Sequence, residues 1–189
     1  MNSISFGAKI PVGKCQILDC DNKRFVGATF CEYDGEDLED IVEISSLNCD
    51  RDCKDAIKTG LQSERLGIIN PGFSFYCLKD DKGNIVGLCY TLDENGTKKV
   101  KYIASVLDGK HKYVGQAMLA SLAKKSLNSG VKNFVIEAAL SSAWDFYEQV
   151  CGFKPIDNTS NLEMNRLEMH KFVGKVEQRT NGKVIDFQV

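Results

Sequence analysis

Short apolar runs broken by polar turns dominate the first hundred residues, and apolar positions at helical spacing follow. Cys15 to Leu18 and Phe25 to Tyr33 read as two strands around the turn Asp21-Asn22-Lys23. Asp34-Gly35-Glu36-Asp37 opens a helical pattern that places Leu38, Ile41, Val42 and Leu47 on one side, and a second stretch, about Arg51 to Leu66, carries Cys53, Ala56, Ile57 and Leu61. Gly60 weakens that second helix. Beyond Asn70-Pro71-Gly72, the runs Phe73 to Leu78, Ile85 to Leu92 and about Lys98 to Leu107 are separated by Asp80-Asp81-Lys82-Gly83-Asn84 and Asp93-Glu94-Asn95-Gly96, which predicts an antiparallel meander. Then come a helix over 114–129, a strand over 132–138, a helix over 142–151, and strands near 153–156 and 163–172.

Two of these helices are clear in detail. Val114, Met118, Leu119, Leu122, Ala123 and Leu127 make one apolar face, with Gln116, Lys124, Lys125 and Asn128 outside it and Gly130 as the stop. In 142–151, Ala143, Phe146, Tyr147, Val150 and Cys151 share a face, and Ser142 with Asp145 has the spacing of a capping box. These elements predict one mixed α/β domain over 14–172. Residues 1–13 read as a tail with a Pro11/Gly13 break, and 173–189 as an extension with a hairpin about Asn181-Gly182.

Composition narrows the function. With 189 residues, 43% apolar and 26% charged, the chain can build an ordinary core. A net charge of −2 offers no electrostatic footprint for nucleic acid or an anionic membrane. No apolar run approaches the roughly 18 residues of a membrane span, and the start lacks a basic stretch followed by an apolar core, which predicts a cytoplasmic location. Eight cysteines are then expected as reduced thiols, Cys77 and Cys89 acting as small core hydrophobes. Cys49 and Cys53 could share a helical face, but no spacing suits zinc, so no metal is expected.

The densest chemistry lies between Lys98 and Phe153. An apolar strand runs through His111-Lys112-Tyr113-Val114-Gly115-Gln116-Ala117 into a helix, and amides converging at a helix start suit a phosphate-bearing cofactor. Gly115 permits close approach of an anion, while Lys110, Lys112 and His111 add cations.

On these residues the chain resembles the GNAT superfamily of acyl-coenzyme A N-acyltransferases, over about Phe25 to Lys171. The turn stands as Lys112-x-x-Gly115-x-Ala117, with lysine where the family has arginine or glutamine, and Ala143-Trp144-Asp145-Phe146-Tyr147 through Gly152-Phe153 is similar to a second family segment. The resemblance implies a mixed, mostly antiparallel central sheet flanked by helices, with acetyl-CoA as co-substrate. It implies that Ser105, Val106 and Leu107 pair with the pantetheine arm and that Lys112, Tyr113, Val114, Gly115, Gln116 and Ala117 hold the pyrophosphate. Tyr147 would be the catalytic acid. Four residues, rather than the family's three, separate Tyr147 from Gly152, and Leu140 stands where an asparagine is common.

No carboxylate stands on the strand before the phosphate loop, so Ser105, Asp108 and Glu137 are alternative candidates for a base or water holder, and none is singled out. The acidic run Asp34, Glu36, Asp37, Glu39 and Asp40 caps a helix or rims a site for a cationic amine. The expected activity is acetyl transfer to a primary amine of a small molecule or peptide. The rivals are an inactive coenzyme A-binding module acting through protein contacts and a thiol-rich structural protein. Monomer and homodimer both remain open, as does the acyl chain length.

Overall fold

Seven successive residues of β4 (Ile85–Glu94), from Ile85 to Thr91, are buried, so this strand is covered on both faces. The structure, a computed structural model, describes residues 10–33, 44–65 and 72–187. The helix expected to open at Asp34, with its acidic run, lies outside the described residues.

Around β4 stand β1 (Ile10–Asp19), β2 (Arg24–Tyr33), β3 (Phe73–Lys79), β5 (Thr97–Ser105), β6 (His111–Lys112), β7 (Asn133–Ile136), β8 (Lys154–Pro155), β9 (Leu162–Asn165) and β10 (Ile185–Asp186). They form one sheet in the order β10-β1-β2-β3-β4-β5-β7-β9-β8, with β6 against β1. The pairs are antiparallel except β5 with β7, which run parallel, as a crossover through a helix allows. β3, β4 and β5 form the expected meander.

α1 (Arg51–Arg65) covers one face, packing Ile57 and Cys53 with Phe75, Leu88, Tyr90 and Ala104. α2 (Val114–Asn128) and α3 (Arg166–Thr180) cover the other, where Met118, Leu119, Leu122, Phe172 and Val173 meet Ile17, Phe30 and Phe134. Gly87 brings α2 onto β4: a Cβ there would lie 2.7 Å from Met118 Cε and 2.8 Å from Val114 Cγ1.

Three elements differ from their sequence pattern. β1 begins at Ile10, inside the expected tail: Pro11 sits opposite Cys31 beside a bulge at Val12, the kind of position where a strand tolerates proline. The strand expected over 163–172 stops at Asn165, and α3 begins. Asn165 accepts from the Glu168 amide (3.1 Å), Glu168 accepts from the Asn165 amide (2.9 Å), and Met169, Phe172, Val173 and Val176 then point inward at helical spacing. Asn181, in the left-handed region at φ 52°, ends α3, and β10 pairs with Gly13 and Lys14 of β1 in place of a terminal hairpin.

The helix expected over 142–151 is also altered. It consists of a 3₁₀ turn at Ser141–Ala143 and a π-helical turn at Phe146–Cys151, and Ser142 and Asp145 form no capping box. Among the described residues no helix is long and apolar enough to cross a membrane.

Candidate active site

β5 and β7 share a ladder only from Thr97/Asn133 to Val100/Ile136, closed by the Glu137 amide donating to the Val100 carbonyl at 3.0 Å. The chain then turns away at Ala138, whose φ of 52° is unusual for alanine. The Ala138 amide donates to Asn161 Oδ1 (2.9 Å), and that of Ala139 to the Ser160 carbonyl (2.8 Å). β5 meanwhile continues along β4, with Lys101 as an extra residue between the Tyr90/Tyr102 and Thr91/Val100 rungs. The parting strands open a cavity of about 730 Å³ at their carboxyl ends, lined by Lys101, Ile103, Glu137, Ser142 and Tyr147, with Asn48, Asp50 and Cys53 also on its wall.

Antiparallel alternation decides which groups of β5 face this opening. Val106 donates to the Val86 carbonyl (2.9 Å), so Val106 and Ala104 face β4, while Ile103, Ser105 and Leu107 face the other way. Two of those three are engaged by the chain itself. The Leu107 amide donates to the Ser46 carbonyl and the Asn48 amide to the Ser105 carbonyl, both at 2.6 Å, about a bridge between buried Leu47 and Val106. Ser105, Val106 and Leu107, expected to pair with a ligand, therefore spend these main-chain groups within the protein. Among the described residues, no main-chain partner meets Ile103 on that edge.

The basic turn is built by Asp108. Its Oδ1 accepts from the amides of Lys110 (2.9 Å) and His111 (3.3 Å), and its Oδ2 lies 2.7 Å from His111 Nδ1. Burial works against the Asp108 carboxylate, but these contacts hold its carboxyl below the ordinary range. Asp108, one of the three base candidates, is thus a structural anchor. His111 and Lys112 then pair with Asp19 and Leu18 of β1 as β6, which leaves the Lys112 side chain exposed.

Tyr113 precedes α2 at φ 66°, its ring 6.1 Å from that of Phe25 and 4.0 Å from the Arg179 guanidinium carbon. No side chain caps α2 and no acid lies in its first turn; Ala117 donates to the Tyr113 carbonyl (2.9 Å), leaving the earlier amides of Val114, Gly115 and Gln116 without intrahelical partners. Above Gly115 a Cβ would meet only the Phe146 ring, at 3.5 Å. Unclaimed amides beside a cradle that a side chain would fill fit a diphosphate.

Tyr147 lies at the cavity wall, buried, with Phe146 and Phe153 edge-on at 5.3 and 6.1 Å. The fourth residue between Tyr147 and Gly152 is taken up by the π-helical turn: Phe153 donates to the Tyr147 carbonyl (3.0 Å), and Gly152, at φ 87°, ends the turn. A π turn is the form a helix takes around one extra residue. Burial pushes the Tyr147 phenol well above the ordinary tyrosine range, so it is protonated at neutral pH.

Glu137, another base candidate, reaches the cavity but sits 2.8 Å from Lys101 Nζ. Neither Lys101 nor the rim segment Asn48 to Cys53 carried a functional signal in the sequence: a bulge residue and a loop brought over a sheet edge announce no pattern. Asp50 caps α1, its Oδ1 accepting from the Cys53 amide at 2.8 Å, and Cys49 and Cys53 touch at the rim. Among the described residues all eight cysteines are thiols.

This architecture, a meander continued by a parallel strand that splays from it beside a glycine-opened helix, is the fold of the GNAT acetyltransferases. No protein-family description matches the sequence, and no curated protein does. Among solved structures, the chain is similar to the PaiA N-acetyltransferase of Thermoplasma acidophilum in complex with coenzyme A, at 14% identity over 73% of this chain and 98% of that one, with a TM-score of 0.55. The ribosomal-protein-S18-alanine N-acetyltransferase of Escherichia coli matches at 16% identity over 72% and 91%, with a TM-score of 0.52. A variant of the AtaT toxin bound to the C-terminus of its antitoxin AtaR and acetyl-CoA matches at 14% over 69% and 90%, with a TM-score of 0.53. At these identities the likeness is one of fold.

Proposed function

We propose that the protein is an acetyl-CoA-dependent N-acetyltransferase that delivers an acetyl group to a primary amine of a small molecule or peptide. The observation that carries this reading is the parting of β5 from β7 over a cavity walled by Tyr147. The coenzyme A and acetyl-CoA held by the neighbouring structures support it.

Bound acetyl-CoA supplies an activated acyl group. The amides of Val114, Gly115 and Gln116 hold the diphosphate, with the start of α2 contributing partial positive charge. The main-chain groups of Ile103 orient the arm along β5. Tyr147 keeps a proton at its hydroxyl on the cavity wall, available to a leaving sulfur. With no side chain of β5 placed as a base, the protein contributes mainly by holding the acyl carbon and an unprotonated amine in line.

A second reading, a coenzyme A-binding module without turnover, is favoured by one observation: Ser46 to Asn48 occupy part of the β5 edge. Calorimetry with acetyl-CoA and thiol release on a panel of polyamines, amino acids and peptides separate the two. Binding with turnover on any amine establishes the enzyme. Micromolar binding with no turnover on the panel turns the reading to the module, and no binding refutes both.

A further inference from the structure

The last rung between β5 and β7 joins Val100 to Ile136, so Lys101 and Glu137 are the first residues past the ladder, at the point where the two strands part. As the extra residue of a bulge, Lys101 has no partner on β4 and is turned toward β7. Its Nζ lies 2.8 Å from Glu137 Oε2, and the two side chains keep 26% and 32% of their surface exposed. The lysines before it are held elsewhere: Lys98 by Asp93 (2.7 Å) and Lys99 by Glu94 (2.6 Å).

Lys101 is the only side-chain amine on the cavity wall, which it shares with Ile103 and Tyr147. Two residues of extended strand span about 7 Å, a distance that a lysine side chain can cover, so its amine can reach a group lying against Ile103. No hydrogen-bond donor meets Glu137 Oε2, which is closed off from solvent, so the Lys101 charge is its one answer among the described residues. Exclusion of water disfavours both charged forms, so a donor filling the cavity favours passage of the ammonium proton to this carboxylate.

We propose that Lys101 is itself an acetyl acceptor, taking the acetyl group from acetyl-CoA bound in the same molecule. This rests on the acetyl-CoA reading above. The Lys101 nitrogen adds to the thioester carbon, the carbon–sulfur bond breaks, and N-acetyl-lysine and free coenzyme A result. Of the two protons that the ammonium loses, one passes through Glu137 to solvent. The other restores the Tyr147 hydroxyl, whose own proton has gone to the leaving sulfur.

The test is incubation of the full chain with acetyl-CoA, followed by intact-mass and peptide mass spectrometry, beside calorimetry for binding. Lys101→Arg, Glu137→Gln and Tyr147→Phe are treated alike, with thermal unfolding as the folding control. The expected result is one acetyl group, on Lys101, gained at a rate independent of protein concentration. That rate should fall by about 100-fold in Y147F and about 10-fold or more in E137Q, and K101R should gain none. Acetyl groups spread over exposed lysines, equal rates in Y147F, or a rate proportional to protein concentration would each overturn the inference. A protein that binds acetyl-CoA and leaves Lys101 unmodified defeats it alone, whereas one that binds no acetyl-CoA defeats the function reading with it.

Discussion

Gly115→Ala should separate the needs of the fold from the needs of the ligand. Gly115 is helical, not in the left-handed region, and an added Cβ would lie 3.5 Å from the Phe146 ring, an ordinary contact. Alanine therefore costs no space and removes backbone freedom from the unfolded chain, for a gain of about 0.5 kcal/mol near a helix start. For a chain of this size that raises Tm by about 1–2 °C. The same methyl would stand in the cradle, holding a phosphate oxygen off the first-turn amides. Losing one charged hydrogen bond there weakens coenzyme A by roughly 10- to 100-fold. Gly87→Ala is the contrast, because its Cβ would press on Met118 and Val114 at 2.7–2.8 Å and should cost about 1–3 kcal/mol. Thermal unfolding and calorimetry on both variants decide the matter. A G115A protein destabilised by more than about 1 kcal/mol, or one with coenzyme A affinity intact, would refute the reasoning.

Tyr147→Phe should lower turnover by about 100-fold or more while leaving the coenzyme A Kd within a few-fold, as measured by thiol release beside calorimetry. Because burial raises the Tyr147 pKa, the unaltered protein should show no loss of acetyl-transfer rate from tyrosine ionisation below about pH 10, so an alkaline limb near pH 8 that vanishes in Y147F would contradict the assignment. Asn165→Ala opens the capping box of α3 and should cost about 1 kcal/mol, a Tm fall of about 2–4 °C on thermal unfolding; no change would mean the box is idle. Deleting Gln149, exposed within the π turn, should relax that turn to an α-helix with turnover kept within about 10-fold, and a protein unable to fold or bind coenzyme A would show that the turn has a role of its own.

Where a segment's own side chains settle its structure, the sequence was readable. The meander follows from Asp80–Asn84 and Asp93–Gly96 between apolar runs, and α2 from one apolar face and its glycine stop. Asn165-x-x-Glu168 announces the start of α3, but the apolar residues after Leu162 read equally well as a strand until that box is recognised. The π turn was visible only as one residue too many before Gly152. The site divides along the same line. Gly115 and Tyr147 lie in local patterns, whereas Lys101 at a bulge and the Ser46–Asn48 contact depend on tertiary placement. Asp108 was legible as an acid near the turn but not as the acceptor that shapes it.

The outer edge of β5 is where fold and ligand compete. An extended arm adding to a sheet edge needs main-chain rungs, and two of the three beyond Lys101 are filled by Ser46 and Asn48. Exchanging two such hydrogen bonds for two others is nearly neutral, since each contributes only about 0.5–1.5 kcal/mol net. Hydrogen bonding alone would therefore let a ligand displace the segment. Leu47 decides otherwise: it is fully buried between the two bonds, against β5 and α1, and exposing it costs about 1.5–3 kcal/mol that no ligand rung returns. The segment would therefore stay, and an acyl-donor arm of the kind proposed would find its rung at Ile103, one residue beyond Tyr102, where the strand still faces the cavity and Tyr147.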